Sequence, residues 1–265
     1  MPNNNINVLI TRPEQEGRVL AATLNNSGIH TLCQPLFDYQ LNEKKENFLQ
    51  LLSQDQQPII IFISVASVTY ANKAHPIAMW PASKIIAVGN ATSKALMALN
   101  INAITPTEQT SEGLLELPEL QNVGGEKIII VRGDGGREHL AQSLKSRQAT
   151  VYYFEAYQRI WRQLDSNIAQ HWRNNKINCI VITSDALLQS VVQLMNLSDS
   201  TSYHYWQNNC YWVVASDRIA QRAKALGLKH VINARGANDK AISDAILSNI
   251  MFSDVIINTE QDDDR

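Results

Sequence analysis

"KIIIVRGDGGREHLAQSL", Lys127 to Leu144, decides the fold. A run of branched apolar residues stops at an arginine and a glycine-rich turn, and a helical pattern follows with Leu140 and Leu144 four apart. A short, continuous β-branched run suits a parallel strand buried on both faces, and the spacing of four puts both leucines on one helical face. The stretch has a mate. "VLITRPEQEGRVLAATL", Val8 to Leu24, sets Arg12 on Arg132, Leu20 on Leu140 and Leu24 on Leu144, each 120 positions apart.

The repeat extends further. "IIIFISVASVTYA" aligns with "NCIVITSDALLQS", setting Ser64 on Ser184 and Ala66 on Ala186 at the same offset. A third pair follows with a short indel, "KIIAVGNATSKALMALNINAI" against "YWVVASDRIAQRAKALGLKHVI". Three units in the same order mean a duplicated architecture. Each unit reads strand, turn, helix, which predicts an α/β fold of two parallel-sheet domains with right-handed crossovers. A chain of 265 residues has room for both. Gly28 and Gly227 fall where a helix ends before a strand, the position that favours a left-handed backbone. Two aromatic, near-alternating segments that lead into new helices, "PLFDYQLNEKKENFLQLLSQDQQP" and "VYYFEAYQRIWRQLDSN", read as more like ribbon strands than core strands and link the domains.

Composition narrows the function. The net charge of −2 gives no global basic field to recruit nucleic acid. No apolar run approaches the roughly 20 residues needed to cross a membrane. The opening "MPNNNINVLIT" has neither a basic n-region nor an apolar h-region, so a cytoplasmic protein is expected. Cys33, Cys179 and Cys210 are odd in number and far apart, which suits buried thiols better than a disulfide framework or a zinc site. The six histidines share no metal spacing. The glycine turn fails as a dinucleotide loop because Glu138 stands where the third glycine belongs. The sequence contains no H-E-x-x-H, C-x-x-C or G-x-S-x-G.

What remains is the set of strand-end turns, "TRPEQEG", "SVAS", "GNATS", "RGDGGR", "TSDA" and "ASDR". In open parallel sheets ligands sit at such turns, and small polar residues at helix starts point backbone N–H groups at an anion. Arg12 and Arg132 end strands, and a guanidinium pairs bidentately with a carboxylate. Ser64 and Ser184 open helices, where N-capping is their ordinary use.

Taken together and in order, "VLITRP", "GNATSKAL", "RGDGGREHLAQSL", "FEAYQR" and "VVASDRIAQRAKALG" resemble the uroporphyrinogen-III synthase family from about Val8 to Leu247. The resemblance implies two α/β domains joined by a two-stranded ladder. Residues 1–36 with 160–255 form one domain, 40–155 the other, 37–39 and 156–159 the ladder, and 256–265 an acidic tail. It implies a substrate cleft between the domains and a reaction without cofactor or metal. Hydroxymethylbilane, a linear tetrapyrrole rich in carboxylate arms, loses its hydroxyl as water. Ring D inverts through a spiro intermediate, and the macrocycle closes. The resemblance makes Tyr157 the catalytic residue that assists departure of the hydroxyl, and leaves Tyr152 and Tyr153 structural.

By the same resemblance Arg12, Ser64, Thr92, Arg132, Gly135, Ser184 and Ser216 bind substrate. Two departures favour backbone donors over hydroxyls there. Ile63-Ser64 stands where the family often has Thr-Ser, and Ala215–Arg218 reads "ASDR" where it often has Gly-x-x-Thr. A monomer is expected, in transient contact with the preceding enzyme of the pathway. The competing reading is a two-domain protein that closes on a small polyanion without chemistry.

Overall fold

The computed structural model describes residues 6–42, 48, 50, 52, 57–135, 138–196 and 200–251; the acidic segment 256–265 lies outside them. The chain divides into two compact units, one of Met1–Asp38 with Trp161–Arg265, the other of Tyr39–Ile160.

The first unit holds a five-stranded sheet built from β1 (Asn7–Ile10), β2 (His30–Cys33), β8 (Cys179–Ile182), β9 (Tyr211–Val214) and β10 (His230–Asn233). Its spatial order is β10-β9-β8-β1-β2, and all four pairings are parallel. The second sheet is ordered β3-β7-β6-β4-β5, from β3 (Phe37–Leu41), β4 (Ile59–Phe62), β5 (Lys84–Ala87), β6 (Lys127–Gly133) and β7 (Thr150–Trp161). Pairings β4–β5, β4–β6 and β6–β7 are parallel. β3 runs antiparallel to β7: the Asn42 N–H donates to the Ala156 carbonyl, and the Arg162 N–H donates to the Leu36 carbonyl. These two strands carry the chain from one unit to the other and back as a two-stranded ladder.

The duplication is visible in the sheets. The repeat pairs β1 with β6, β8 with β4 and β9 with β5. In space β9-β8-β1-β2 matches β5-β4-β6-β7 strand for strand. Leu20, Leu24, Leu140 and Leu144, the leucines of the matching helices, are all buried.

The apolar runs are long because both faces of each sheet are covered. Every residue of β4, β6 and β8 is buried. In the second unit, Ile60, Phe62, Ile129 and Val131 pack with the helix Val65–Ala74, while Ile59, Ile61, Ile128 and Ile130 pack with Leu114, Leu140 and Leu144. Burying one such side chain contributes about 1.5–3 kcal/mol. Gly28 and Gly227 sit at φ of 77° and 82°, as their helix-ending positions predict.

Among the described residues no helix is long and apolar enough to cross a membrane, and no three His, Cys, Asp or Glu side chains gather as a metal site. The three cysteines are free, with Cys179 and Cys210 buried and Cys33 partly so.

Candidate functional site

In a sheet ordered this way the strand sequence reverses direction once, and the turns on either side of that reversal diverge and leave room for a ligand. The reversal lies between β8 and β1 in the first unit and between β4 and β6 in the second. The turns there carry Arg12 and Ser184 in the first unit, and Ser64 with the Arg132–Gly135 turn in the second. Thr92 and Ser216 follow β5 and β9, one strand away.

Each serine is the N-cap its position predicts. The Ser64 Oγ accepts from the Ser67 N–H at 3.0 Å, and Ser67 Oγ in turn accepts from the Ser64 N–H. The Ser184 Oγ accepts from the Leu187 N–H at 3.2 Å, and the Ser216 Oγ from the Ile219 N–H. A capping hydroxyl uses a lone pair and keeps its own O–H for another acceptor. Thr92 is different. It is the third residue of the helix Asn90–Met97, and it is buried. Thr11, passed over in the sequence, is fully buried and donates to the Val181 carbonyl, tying the turn after β1 to β8.

Tyr157 owes its position to a break in β7. Along that strand Tyr152 and Phe154 pack on one face while Val151 and Tyr153 pack on the other. Simple alternation would send Tyr157 to the second face. The β6–β7 register instead shifts between Arg132, which pairs with Glu155, and Gly133, which pairs with Tyr157. Ala156 is the extra residue of this bulge. Bulges re-aim side chains in this way, and Tyr157 joins Phe154 and Ala156 on the first face. Its ring is 5 % exposed and stands edge-on to Tyr39 at 4.8 Å, with Tyr70 at 5.5 Å. Its hydroxyl lies 3.4 Å from the Ser64 Oγ. Gly133 makes this fit possible: a Cβ there would lie 2.6 Å from Cζ and 3.0 Å from the hydroxyl of Tyr157. The Asp134 N–H donates to the Tyr157 carbonyl at 2.8 Å, and the Arg159 N–H donates to Asp134 Oδ1 at 3.1 Å, fastening the glycine turn to β7.

The two strand-end arginines are already engaged. Arg12 donates to Asp239 Oδ1 at 2.5 Å and to the Ala237 carbonyl at 2.9 Å. Burial pushes the nearby Glu16 carboxyl up, against the pull of Arg12. Arg132, 6 % exposed, donates to Glu138 at 3.0 Å and Glu155 at 3.2 Å, and its guanidinium stacks 3.6 Å over the Tyr153 ring. The Tyr153 hydroxyl donates to the other Glu138 oxygen at 2.5 Å. Gly135, exposed at φ 67°, has its N–H 3.5 Å from the same Glu155 oxygen that Arg132 holds. A cavity of about 180 Å³ opens beside Arg132, lined also by Ile63, Val88, Ser111 and Leu140.

Two predictions arise from this cluster. Arg132→Met removes the shared partner of two carboxylates and the stack on Tyr153. A fully buried pair broken this way costs about 3–5 kcal/mol. The carboxylate side chains here are 50 % and 39 % exposed, so we expect a loss of about 2 kcal/mol after solvent screening, read as a lower denaturation midpoint in urea. The second concerns acid. The Tyr153 hydroxyl, then Arg132, hold the Glu138 carboxyl below its ordinary value, while burial and that same bond push Tyr153 up to about 12. A carboxylate depressed in the folded state stabilises fully above its unfolded pKa of about 4.3, and that stability is lost as pH falls through the lower folded value. Glu138→Gln is therefore less stable than wild type at neutral pH, and the gap closes below about pH 4. A gap constant with pH in thermal melts would contradict the role of the charge.

A doubly wound α/β protein with polar, amide-bearing turns at both strand reversals belongs to the class of folds whose ligands sit at the carboxyl ends of the strands. Comparison with known proteins specifies the family. The family model described as uroporphyrinogen-III synthase HemD matches residues 18–244. Uroporphyrinogen-III synthase of Salmonella typhimurium is 30% identical over 248 residues, covering 91% of this chain and 100% of the relative. The Escherichia coli synthase is 29% identical over the same coverage. Among solved structures, a mutant uroporphyrinogen III synthase of Thermus thermophilus superposes with a TM-score of 0.62, at 11% identity, over 89% of this chain and 96% of its own. The Helicobacter pylori protein gives 0.56, at 11% identity, over 92% and 99%. At those identities the structures speak for the fold, and the sequence matches speak for the family. The chain belongs to the uroporphyrinogen-III synthase family, whose members are cyclising hydro-lyases.

Proposed function

We infer that the chain converts hydroxymethylbilane to uroporphyrinogen III in porphyrin biosynthesis, in the cytoplasm and without a cofactor. The observation that carries the site assignment is the Tyr157 hydroxyl, delivered by the bulge to the Ser64 side of the β4–β6 strand reversal. The pyrrole electrons expel the hydroxyl, so the protein's task is small. It must place a hydrogen-bond donor at the leaving oxygen and hold the chain in a shape that favours spiro attack. A phenol donates without carrying charge, and Tyr157 fills this role. As the C–O bond breaks the oxygen takes the phenol proton and leaves as water. The substituted α-carbon of ring D bonds to the freed methylene, giving the spiro centre. The bond from that carbon to its original bridging methylene then breaks, and that methylene rebonds at the free α-carbon of ring D. The proton lost there returns to the phenolate, and the ring is closed in the inverted orientation.

Carboxylate arms of the substrate meet the strand-end turns. The backbone amides of the turns at Ser64, Ser184, Ser216 and Gly135 donate to them. Arg12 and Arg132, paired with neighbouring carboxylates, hold in place the turns that carry those donors. Thr92 supports its helix start from within. The protein acts as a monomer and takes its labile substrate from the preceding enzyme in the pathway.

The test is product analysis with freshly prepared hydroxymethylbilane, since the spontaneous reaction gives the type I isomer. A product dominated by type III, formed faster than the blank, is expected. Type I alone from folded protein overturns the reading and leaves a binding protein for a polyanion.

A further inference from the structure

The first unit carries a second pocket at the opposite end of its sheet. Asn7 begins β1 and Asn178 immediately precedes β8, so both stand at the amino ends of the strands whose carboxyl ends bear Arg12 and Ser184. With Arg173, Lys176 and Tyr205 they line a cavity of about 410 Å³. That volume falls in the range of roughly 300–1,000 Å³ typical of small-molecule sites. From Asn7 to Arg12 the strand spans about 17 Å at its usual rise. This pocket is distinct from the strand-end turns.

The segments that supply its lining carry no acidic residue. The chain has 25 acidic against 23 basic residues, yet residues 166–184 and 200–216 contain no Asp or Glu, and the first acidic residue of the chain is Glu14. Arg12, Arg18, Arg132, Arg162 and Lys240 each hold a carboxylate. Arg173 and Lys176, like Arg222 and Lys224, form no ion pair among the described residues; what marks these two is that they meet in one cavity.

The Arg173 guanidinium and the Lys176 backbone are held in place. The Arg173 guanidinium lies 4.4 Å over the Tyr205 ring, and the Tyr205 hydroxyl donates to the Ile177 carbonyl at 3.0 Å, which fixes that ring. Lys176 follows the helix Ile168–Asn174 at φ 55°. The Lys176 N–H donates to the Arg173 carbonyl at 2.8 Å, and Asn7 Nδ2 donates to the Lys176 carbonyl at 3.0 Å. The Asn7 N–H donates to Asn178 Oδ1 at 2.9 Å, so the two asparagines brace the wall. Two uncompensated cations, one of them oriented by an aromatic ring, facing a polar cavity form a receptor for a multiply charged oxyanion.

We propose that this amino-end pocket binds a small polyanion carrying a phosphate or clustered carboxylates, with Arg173 and Lys176 as its charge partners. Titration calorimetry at low ionic strength, with inorganic pyrophosphate and with citrate as separate probes, tests it. Saturable binding of one equivalent of at least one probe is expected, weakening as salt is raised. Which probe binds tells phosphate from carboxylate recognition. Lys176→Gly and Arg173→Gln are each expected to weaken that binding at least tenfold. Glycine accepts the left-handed backbone at position 176 without the Cβ penalty, so Lys176→Gly keeps or raises the melting temperature and the loss cannot be ascribed to unfolding. Absence of saturation by both probes in wild type, or wild-type affinity in either variant, overturns the proposal.

Discussion

Gly133→Ala lowers turnover about 100-fold while leaving KM nearly unchanged, because it moves Tyr157 without touching a substrate-binding group. The added methyl group would overlap the ring at Cε2 and lie 2.6 Å from Cζ. The ring has nowhere to retreat, since Tyr39 stands edge-on at 4.8 Å and Tyr70 is at 5.5 Å. The strain is steric rather than conformational, because Gly133 continues β6 and is absent from the positive-φ glycines. Overpacking of this kind costs about 1–3 kcal/mol of stability, so the variant still folds and can be assayed. Gly125→Ala, at the amino end of β6 and away from the strand-end turns, is the control. It meets nothing within 4 Å but sits at φ 78°, so it loses about 1 kcal/mol of stability with a much smaller effect on rate. Wild-type turnover in Gly133→Ala would remove Tyr157 from the mechanism whatever the product.

Tyr157→Phe keeps the ring and deletes the donor. Loss of a positioned proton donor typically lowers a rate by 10²–10⁴; about 100-fold is expected here because the pyrrole electrons do much of the work of expelling the hydroxyl. At that level the spontaneous reaction competes, so the isomer ratio moves from type III towards type I. If Tyr157→Phe gives type III at the wild-type rate, the synthase activity stands and the hydroxyl is not its donor. Comparing the two variants separates position from chemistry: Gly133→Ala displaces the phenol, and Tyr157→Phe removes it.

The fold was legible because the repeat and the buried strands leave marks on neighbouring residues. "IIIFIS" and "KIIIVR" must be apolar throughout when helices cover both faces, and helix-ending glycines sit one turn from the strands they precede. The site was legible in outline, as turns at strand ends. Its details depend on partners far away in sequence. Nothing near Arg12 announces Asp239, and nothing in "IIIVR" announces that Glu155 will take the second arm of Arg132. The bulge at Ala156 was equally hidden, because a single extra residue leaves no composition signal. Only "FEAY", with two residues of one face in succession, hints at it. Thr92 read as a helix-start hydroxyl because Gly89, one turn earlier, caps that helix without a side chain.

The way the chain passes between the units bears on its synthesis. Unit two is one continuous segment, Tyr39–Ile160, whereas unit one is split around it. On the ribosome the inner unit is complete first, while β1 and β2 have emerged without β8, the neighbour that places β1 in the interior of its sheet. Val8, Leu9 and Ile10, all fully buried in the finished protein, must wait for more than a hundred further residues to be translated. Domains that finish folding late expose apolar strands for the interval, so this amino-terminal strand is the part of the nascent chain most in need of a chaperone.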